Sequence, residues 1–554
     1  MDSTSKIEEK TKDSLADFRT NPRVLVLSAL AIPIGALSAG VAYFLLRLIS
    51  WITNISFHQH FSLADVTPEG NHLGALVIIV PVIGAIIIGL MARYGSPKIR
   101  GHGIPEALEA ILLGRSRIES KVAILKPISS AISIGTGGPF GAEGPIIMTG
   151  GAFGSLIAQL FRLTAAERKT LLAAGAAGGM AAVFNTPIAA VLLAVELLLF
   201  EWRPRSFIPV VVSSSVAAGL RVYLLGAGAI FPTAAHAPLS GMTLLAAAFV
   251  GILMGFGSGL LTTLVYAVED FFDKLPIHWM WWPAIGAVAV GIGGWLDPRV
   301  LGVGYDLIRA MLRGEIVGGL LVGLMVGKAI VWSISLGSGT SGGVVAPLLI
   351  IGGAFGALLG HWLPVGDPAL WAMVGMGAMM AGTMRAPFTG VVFLLEVTHD
   401  MNAFPALLIG CVSALAVTVL LLRRSILTEK LARRGQHITC EYSIDLFEVF
   451  RVGEVMDKKP PVVASTMTVS ELSDRIAHGD VDISRRQGTL LLDENGKLAG
   501  IITRGDVLSA LQKDPSGKKT LLECGTPKPL VAYPDERLND AIARMLKNNI
   551  GRLP

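Results

Sequence analysis

Residues 135–145 read Gly-Thr-Gly-Gly-Pro-Phe-Gly-Ala-Glu-Gly-Pro, and residues 337–347 repeat the pattern as Gly-Ser-Gly-Thr-Ser-Gly-Gly-Val-Val-Ala-Pro. Both stretches are followed by the same five residues, Gly-Gly-Ala-Phe-Gly, at 150–154 and at 352–356. Segments broken by Gly and Pro that recur in two halves of an apolar chain are typical of membrane transporters, where they indicate the binding site. We therefore expect the functional site at these breaks.

Two more pairs of segments keep the same order and nearly the same spacing. Residues 97–103 correspond to residues 298–304, and residues 186–196 correspond to residues 386–396. The repeat predicts two related halves at about 23–225 and 240–424 within a membrane domain that covers residues 23–436.

The composition places most of the chain in a membrane. Of its 554 residues, 52% are hydrophobic and only 16% are charged, whereas soluble domains carry roughly 25% charge. A membrane helix needs about 20 apolar residues. The predicted spans are 26–44, 73–91, 207–225, 242–268, 316–335 and 405–422. Other apolar segments are short or interrupted, so hydropathy alone will miscount the spans.

The polar ends of the chain are predicted to face the cytosol. Residues 1–22 mix Lys, Asp and Glu without a signal peptide, and basic residues before the first span favour a cytosolic N-terminus.

The net charge of +5 is explained by basic residues at membrane edges, so no nucleic-acid partner is expected. The three cysteines are scattered and predict neither a metal site nor a disulfide framework.

The composition changes after residue 436. A linker at 437–451 leads to a soluble α/β domain at 452–512, and an incomplete second copy occupies 521–554. We predict strands at 461–463, 489–493, 498–503 and 529–532, and helices at 469–476, from Asp506 and from Leu538. The copy stops where a strand should lie, and half of a paired domain would leave an apolar face uncovered. We therefore expect that the chain is truncated at Pro554.

Glu143 lies at the start of a predicted helix. A helix that begins near Pro145 leaves its first amides free, and these amides together with the positive helix end attract an anion. An ionised Glu143 would compete with a permeating anion for the same amides until protonation or the anion displaced it. This pattern predicts a gate, and the alternative is a carboxylate that only caps the helix.

Two further breaks offer amides without an acid. Residues 342–347 present the amides of Val344 and Val345, and residues 101–105 read Gly-His-Gly-Ile-Pro before another predicted helix. Three converging helix starts would bind an anion weakly enough for rapid release, as conduction requires. The alternative is that the glycines serve close helix packing, which explains residues 150–154 better than the motifs that end in Pro.

In order, residues 101–105, 141–145 and 343–347 resemble the three filter motifs of the voltage-gated chloride channel and chloride/proton antiporter family. The resemblance covers about 23–436, and the tail resembles the paired cystathionine-β-synthase-type (CBS) regulatory domains often attached to that family. It implies an all-α polytopic inverted-repeat bundle with broken helices. It also implies a homodimer in the cell membrane with one pore per subunit and cytosolic termini, and a transport protein rather than an enzyme.

The resemblance assigns roles to individual residues. Glu143 matches the gating glutamate, and the amides of Val344 and Val345 match the ligands of the central anion. The remaining residues assigned to anion binding are His102, Gly103, Ile104 and Gly144. His102 replaces a serine found in many members: its imidazole could bind an anion or turn away to cap a backbone group. Chloride, fluoride and nitrate therefore remain open as the preferred anion.

Two departures bear on proton coupling. In the antiporters, a second acid that relays protons directly follows the position of Glu196, and here that position is Leu197. The family's pore tyrosine should fall near Arg423, but no tyrosine occurs between Tyr305 and Tyr442, so the inner gate is altered or missing. We interpret Glu196 and Glu396 mainly as buried acids at helix ends, with a proton relay at Glu196 as the alternative. We expect passive or loosely coupled flux, and chloride/proton antiport remains the alternative.

In the tail, residues 500–506 resemble the ribose-binding signature of the regulatory domains. The hydroxyl of Thr503 and the carboxylate of Asp506 stand three residues apart at a strand-to-helix turn and could both reach a ribose diol. The prediction is an adenine nucleotide as an optional regulator, with no cofactor required.

Two other protein classes fit part of the sequence. Residues 339–342 have the form of an intramembrane serine protease motif, in which His361 or His399 would have to serve Ser341. A metal-cation transporter would need several membrane carboxylates, and Glu143, Glu196 and Glu396 are too few and too dispersed. Neither class explains the three filter-like motifs.

Overall fold

The computed structural model describes residues 22–233, 236, 239–435, 450–484 and 486–554. The chain forms two compact units that divide between Cys440 and Glu441. The predictions for residues 1–21 and for most of the linker, 437–449, lie outside the described residues.

The first unit is built from helices, most of them apolar, joined by short connections. Two of its helices run on as π-helical turns, at Asn54–His58 and at Ala194–Leu199. The α-helices are α1 (Arg23–Thr53), α2 (Ile79–Tyr94), α3 (Ile104–Leu112), α4 (Ser120–Gly135), α5 (Glu143–Gln159), α6 (Ala165–Phe184), α7 (Pro187–Leu193), α8 (Pro204–Leu225), α9 (Gly241–Asp273), α10 (Trp282–Leu296), α11 (Tyr305–Leu312), α12 (Gly319–Gly337), α13 (Val345–Gly360), α14 (Pro368–Met384), α15 (Pro387–Thr398), α16 (Phe404–Leu421) and α17 (Ile426–Arg433).

Seven helical segments of the described chain are long and apolar enough to cross a membrane. Six of them contain most or all of a predicted span. The seventh, Trp279–Leu296, was not predicted. Its four tryptophans and four glycines give it the lowest mean hydropathy of the seven, although it is as long as a span requires.

Two cavities lie near opposite ends of α4. One cavity, which we name the inner cavity, has a volume of about 320 Å³ and is lined by Pro97, whose neighbour Lys98 pairs with Glu119 at the start of α4. The other, which we name the outer cavity, has a volume of about 520 Å³ and is lined by Ile134 near the end of α4. A helix of 16 residues is about 24 Å long. The two cavities therefore extend toward opposite ends of a helix that is nearly as long as a bilayer core is thick.

Equivalent segments of the two halves face opposite cavities. Residues 97–102 contribute to the inner cavity, whereas residues 298–304 contribute to the outer one. Ile134 of α4 lines the outer cavity, and its repeat equivalent, Leu336 of α12, lines the inner one. The two halves are thus inverted relative to each other, as the family resemblance implies.

Glycines bring helices into backbone contact at the same places in both halves. A Cβ on Gly150 of α5 would lie 2.2 Å from the carbonyl oxygen of Gly175, and one on Gly352 of α13 would lie 2.5 Å from that of Gly375. Only glycine fits at such distances, so α5 packs on α6 as α13 packs on α14. This contact confirms close packing as the role of the Gly-Gly-Ala-Phe-Gly repeat.

The second unit is a small mixed α/β domain. Its sheet has the order β1-β2-β3-β4, with β1 parallel to β2 and the other pairs antiparallel. Its core includes Val463, Leu491 and Ile502. The elements are α18 (Val452–Val455), β1 (Val462–Ala464), α19 (Val469–Ala477), α20 (Val481–Ser484), β2 (Gly488–Leu492), β3 (Leu498–Thr503), α21 (Arg504–Lys513), α22 (Leu521–Cys524), β4 (Thr526–Pro527) and α23 (Leu538–Lys547).

The predicted strand at 529–532 is wrong. The chain instead pairs with β3 through Thr526 and Pro527, and residues 529–532 form no strand. Lys528 has a φ of 48° between two prolines. Because a proline cannot donate to a ladder and a left-handed residue breaks extended backbone, the pairing ends there.

Candidate anion pathway

The starts of three helices meet at the centre of the first unit. The Gly101 amide donates to the Thr340 carbonyl (3.1 Å), and the Gly343 amide donates to the Gly141 carbonyl (2.9 Å). These bonds tie together the segments that precede α3, α5 and α13. The structure therefore brings the three predicted motifs, 101–105, 141–145 and 343–347, to one place.

The motifs touch through their backbones. A Cβ on Gly144 would lie 2.0 Å from the His102 carbonyl oxygen, and one on Gly103, where φ is 92°, would lie 2.6 Å from the Gly144 carbonyl oxygen. Glycine is the only residue that permits this approach. Ile104, Val344 and Val345 are fully buried beside them, so the site is walled by main chain and apolar side chains.

Glu143 is fully buried at this meeting point. A Cβ on Gly141 would lie 1.8 Å from its Oε2 atom, and one on Gly343 would lie 2.5 Å from it. The carboxylate therefore fills the gap between the motifs of the two halves. The amides of Glu143 itself and of Ala346 face the carboxylate. Neither carboxylate oxygen, however, meets a donor in the described chain with the distance and angle of a well-formed hydrogen bond.

His102 belongs to the same meeting point, because its carbonyl oxygen is the atom that Gly144 approaches. Its side chain is buried and lines the inner cavity. Its Nδ1 atom is buried and has no hydrogen-bond partner among the residues described, so this nitrogen does not cap a backbone group. The nearby charged groups are those of Glu106, Lys430 and Lys126.

Two buried lysines hold the glycine-rich segments, and the sequence analysis missed both. Lys126 of α4 and Lys328 of α12 are fully buried and occupy equivalent repeat positions in apolar helices, which is the signal that could have revealed them. The Lys126 Nζ donates to the carbonyls of Ile99 (2.8 Å) and Gly101 (2.7 Å), and the Lys328 Nζ donates to those of Val300 (3.0 Å) and Gly302 (2.8 Å).

Glu196 and Glu396 each bind the start of a helix from the other half. Glu196 accepts from the amides of Phe388 (3.2 Å) and Thr389 (2.9 Å) at the start of α15. Glu396 accepts from the amides of Ile188 (3.0 Å) and Ala189 (2.8 Å) at the start of α7. Both acids thus lie at helix ends, and a proton relay at Glu196 stays a prediction.

The inner cavity contains a tyrosine from an unexpected element. Tyr266 of α9 lines this cavity, and its hydroxyl donates to the Ile426 carbonyl at the start of α17 (2.5 Å). The sequence analysis expected the family's pore tyrosine near Arg423 and did not identify Tyr266. A contact between residues 160 positions apart leaves no local signal in the sequence.

Ser341 contacts neither of the histidines that a protease would need. Its Oγ atom accepts from Lys126 (3.0 Å) and lies 2.9 Å from the Ser130 hydroxyl. The His361 Nδ1 atom instead pairs with the Ala357 carbonyl of its own helix (2.8 Å).

In the second unit, Thr503 and Asp506 bond to each other. The amide and hydroxyl of Thr503 donate to the Asp506 carboxylate (2.8 and 2.7 Å), and the Asp506 amide donates back to the Thr503 hydroxyl (3.3 Å). This capping box starts α21, so a ribose would have to share or replace these bonds.

Two inverted helical halves with three helix starts around a buried, largely main-chain site define a membrane transport protein for anions. The family model described as voltage gated chloride channel matches residues 83–419, and the model described as CBS domain matches residues 452–513. The chain belongs to the voltage-gated chloride channel family and carries a C-terminal CBS domain. It is a multi-pass membrane protein that acts as an anion channel or transporter.

Similar proteins agree with this assignment. The chain is 30% identical over 413 residues to the H⁺/Cl⁻ exchange transporter ClcA of Salmonella arizonae, covering 70% of this chain and 85% of that one. It is also 30% identical over 417 residues to the ClcA of Klebsiella pneumoniae, covering 72% and 85%.

Solved structures share the fold. A slow cyanobacterial Cl⁻/H⁺ antiporter superposes with a TM-score of 0.65 at 25% identity, covering 75% of this chain and 98% of that one. A eukaryotic CLC transporter shares the fold with a TM-score of 0.59 at 20% identity, covering 95% and 94%.

Proposed function

We propose that the chain conducts monovalent anions, chloride foremost, between the outer and inner cavities through the starts of α3, α5 and α13, and that Glu143 is the gate. One observation carries the proposal: the Glu143 carboxylate is fully buried between the motifs of the two halves, against Gly141 of one half and Gly343 of the other. A carboxylate that only capped its own helix would not fill the space between the halves or face the amide of Ala346 at the start of α13.

The proposed gate works by competition. The ionised carboxylate faces the amide of Ala346 at the start of α13, where a permeating anion would also bind. Protonation removes its negative charge and weakens its hold on the positive end of the helix. Anion flux should therefore rise as the pH falls.

The anion-binding groups proposed are the amides of Gly103, Ile104, Gly144, Val344 and Val345 together with the His102 imidazole. A site made mainly of amides binds anions without a full positive charge, which favours fast release. Sodium and potassium should be excluded because they find no ring of carboxylates there.

A separate question is whether anion flux is coupled to proton movement. Since Leu197 cannot carry a proton, we propose passive or loosely coupled flux. Chloride/proton exchange, as named for the ClcA relatives, is the second candidate, and in it Glu196 or bound water would relay the proton. A steep chloride gradient that drives protons uphill at a fixed ratio would establish exchange.

The remaining assignments follow the family. We propose a homodimer in the lipid bilayer of the cell membrane, with both termini cytosolic and with no catalytic reaction. We propose in addition that the CBS unit binds an adenine nucleotide at Thr503 and Asp506. Isothermal titration with ATP and AMP, using Asp506→Ala as the control, tests this last point.

The experiment that tests the function uses purified protein in liposomes. Chloride, nitrate and fluoride efflux are recorded together with pH, and potassium efflux is recorded without an ionophore. We expect anion efflux with little potassium efflux. Potassium efflux that equals chloride efflux would show that the site is not anion-selective.

A further inference from the structure

Tyr305, the first residue of α11, carries a polar group that the mechanism has not used. Its ring lines the outer cavity and meets the rings of Phe184 (centroids 5.9 Å apart) and Phe231 (5.6 Å) edge to face. Its hydroxyl oxygen is buried and has no hydrogen-bond partner in the part of the chain that the structure describes.

An unpaired buried hydroxyl calls for an explanation. Leaving it without a partner costs free energy that a phenylalanine would not. The aromatic contacts with Phe184 and Phe231 need only the ring, so packing does not account for the oxygen. The hydroxyl can donate one hydrogen bond, so a group that accepts it would account for the oxygen.

Charged groups surround the Tyr305 hydroxyl, and one of them is the gate carboxylate itself. The charged groups that act on it are those of Glu143, Asp65 and Arg309. Both carboxylate oxygens of Glu143 likewise have no hydrogen-bond partner of good geometry among the described residues. On the other side, the outer cavity is lined by charged residues of both signs: Arg47, Arg221, Arg299 and Arg309 with Asp65, Glu69 and Asp306.

We propose that the Tyr305 hydroxyl is an outer anion-binding group, which donates a hydrogen bond to a negatively charged acceptor between the outer cavity and Glu143. The acceptor is a permeating anion or the Glu143 carboxylate after it leaves the gap, and both offer the same chemistry. The proposal rests on the proposed role of Glu143 as the gate.

Tyr305→Phe is the decisive variant, because it keeps the ring and removes only the hydroxyl. The protein is assayed in liposomes with and without Glu143→Ala, and flux is recorded against chloride concentration on the outer-cavity side and against pH. Loss of a hydrogen bond to a charged group should raise the half-saturating chloride concentration about tenfold. Tyr223→Phe, whose side chain is exposed on α8, is the control.

The two backgrounds distinguish the acceptors. A tenfold change with and without Glu143 assigns the hydroxyl to the permeating anion. A change only when Glu143 is present, with a shifted pH profile, assigns it to the carboxylate. If Tyr305→Phe matches the parent in both backgrounds, in half-saturation and in pH profile, the proposal is overturned. Failure of the gate itself appears separately, as an unchanged pH profile in Glu143→Ala with Tyr305 intact.

Discussion

Glu143 begins α5 and Val345 begins α13, at equivalent positions of two halves that otherwise share their packing. In the same way, His102 of the first half corresponds to Val303 of the second. Lys126 and Lys328, by contrast, are identical and each donates to two carbonyls of the equivalent glycine-rich segment, and Lys126 donates to Ser341 as well. The lysines that agree between the halves hold the backbone in place, whereas the two positions that differ are those to which we propose the polar chemistry of the pathway.

The largest effect is expected at the positions that agree. Lys126→Met or Lys328→Met removes a charged donor from two carbonyls of a glycine-rich segment, which should lower the free energy of unfolding by about 1–3 kcal/mol for each hydrogen bond lost. Thermal unfolding in detergent measures this loss. Lys121→Met, on the exposed face of α4, should change little, and buried variants as stable as this control would contradict the role of the lysines.

The next largest effect is expected at His102, where the two halves differ. His102→Val makes the first half resemble the second and removes an imidazole that can donate to an anion, so the half-saturating chloride concentration should rise about tenfold. Anion flux from liposomes measures it, with Val303→Ala as the matched change in the other half. Unchanged affinity and unchanged chloride-to-nitrate selectivity in His102→Val would remove the imidazole from the site.

The smallest effect compares Glu196 with Glu396. Each binds two amides at a helix start, and Glu196 also accepts from the Thr389 hydroxyl (2.6 Å), so Glu396→Ala should cost about 1 kcal/mol and Glu196→Ala more. Thermal unfolding of both variants tests this order, and proton flux is recorded beside it. If only Glu196→Ala alters proton movement, its role extends beyond the helix end and the two halves differ there as well.

Much of this arrangement can be predicted from the sequence, because the repeat and the Gly and Pro breaks are local patterns. They predict the three helix starts and the position of Glu143 among them. Local patterns do not predict three features of the site: the contacts of Lys126, the unpaired hydroxyl of Tyr305, and the hydrogen bond from Tyr266 to the start of α17. They depend on which segments meet in space, and Ser341 contacts Lys126 across 215 positions of the chain.

The failures in the prediction of elements have local causes instead. Trp279–Leu296 was missed because its glycines and tryptophans lower its mean hydropathy, although the helix is long and apolar enough to cross a membrane. The strand predicted at 529–532 was wrong because backbone geometry at Lys528 overrides the local β-propensity.

The difference between Glu143 and Val345 can be tested directly through the pH dependence of chloride efflux from liposomes. For the wild-type protein, efflux should rise as the pH falls and the carboxylate takes up a proton. Glu143→Gln cannot ionise and Glu143→Ala leaves room for a further anion, so both should conduct with no pH dependence and lose any proton coupling. If both variants instead keep the wild-type pH profile, Glu143 only caps a helix and the gate lies elsewhere.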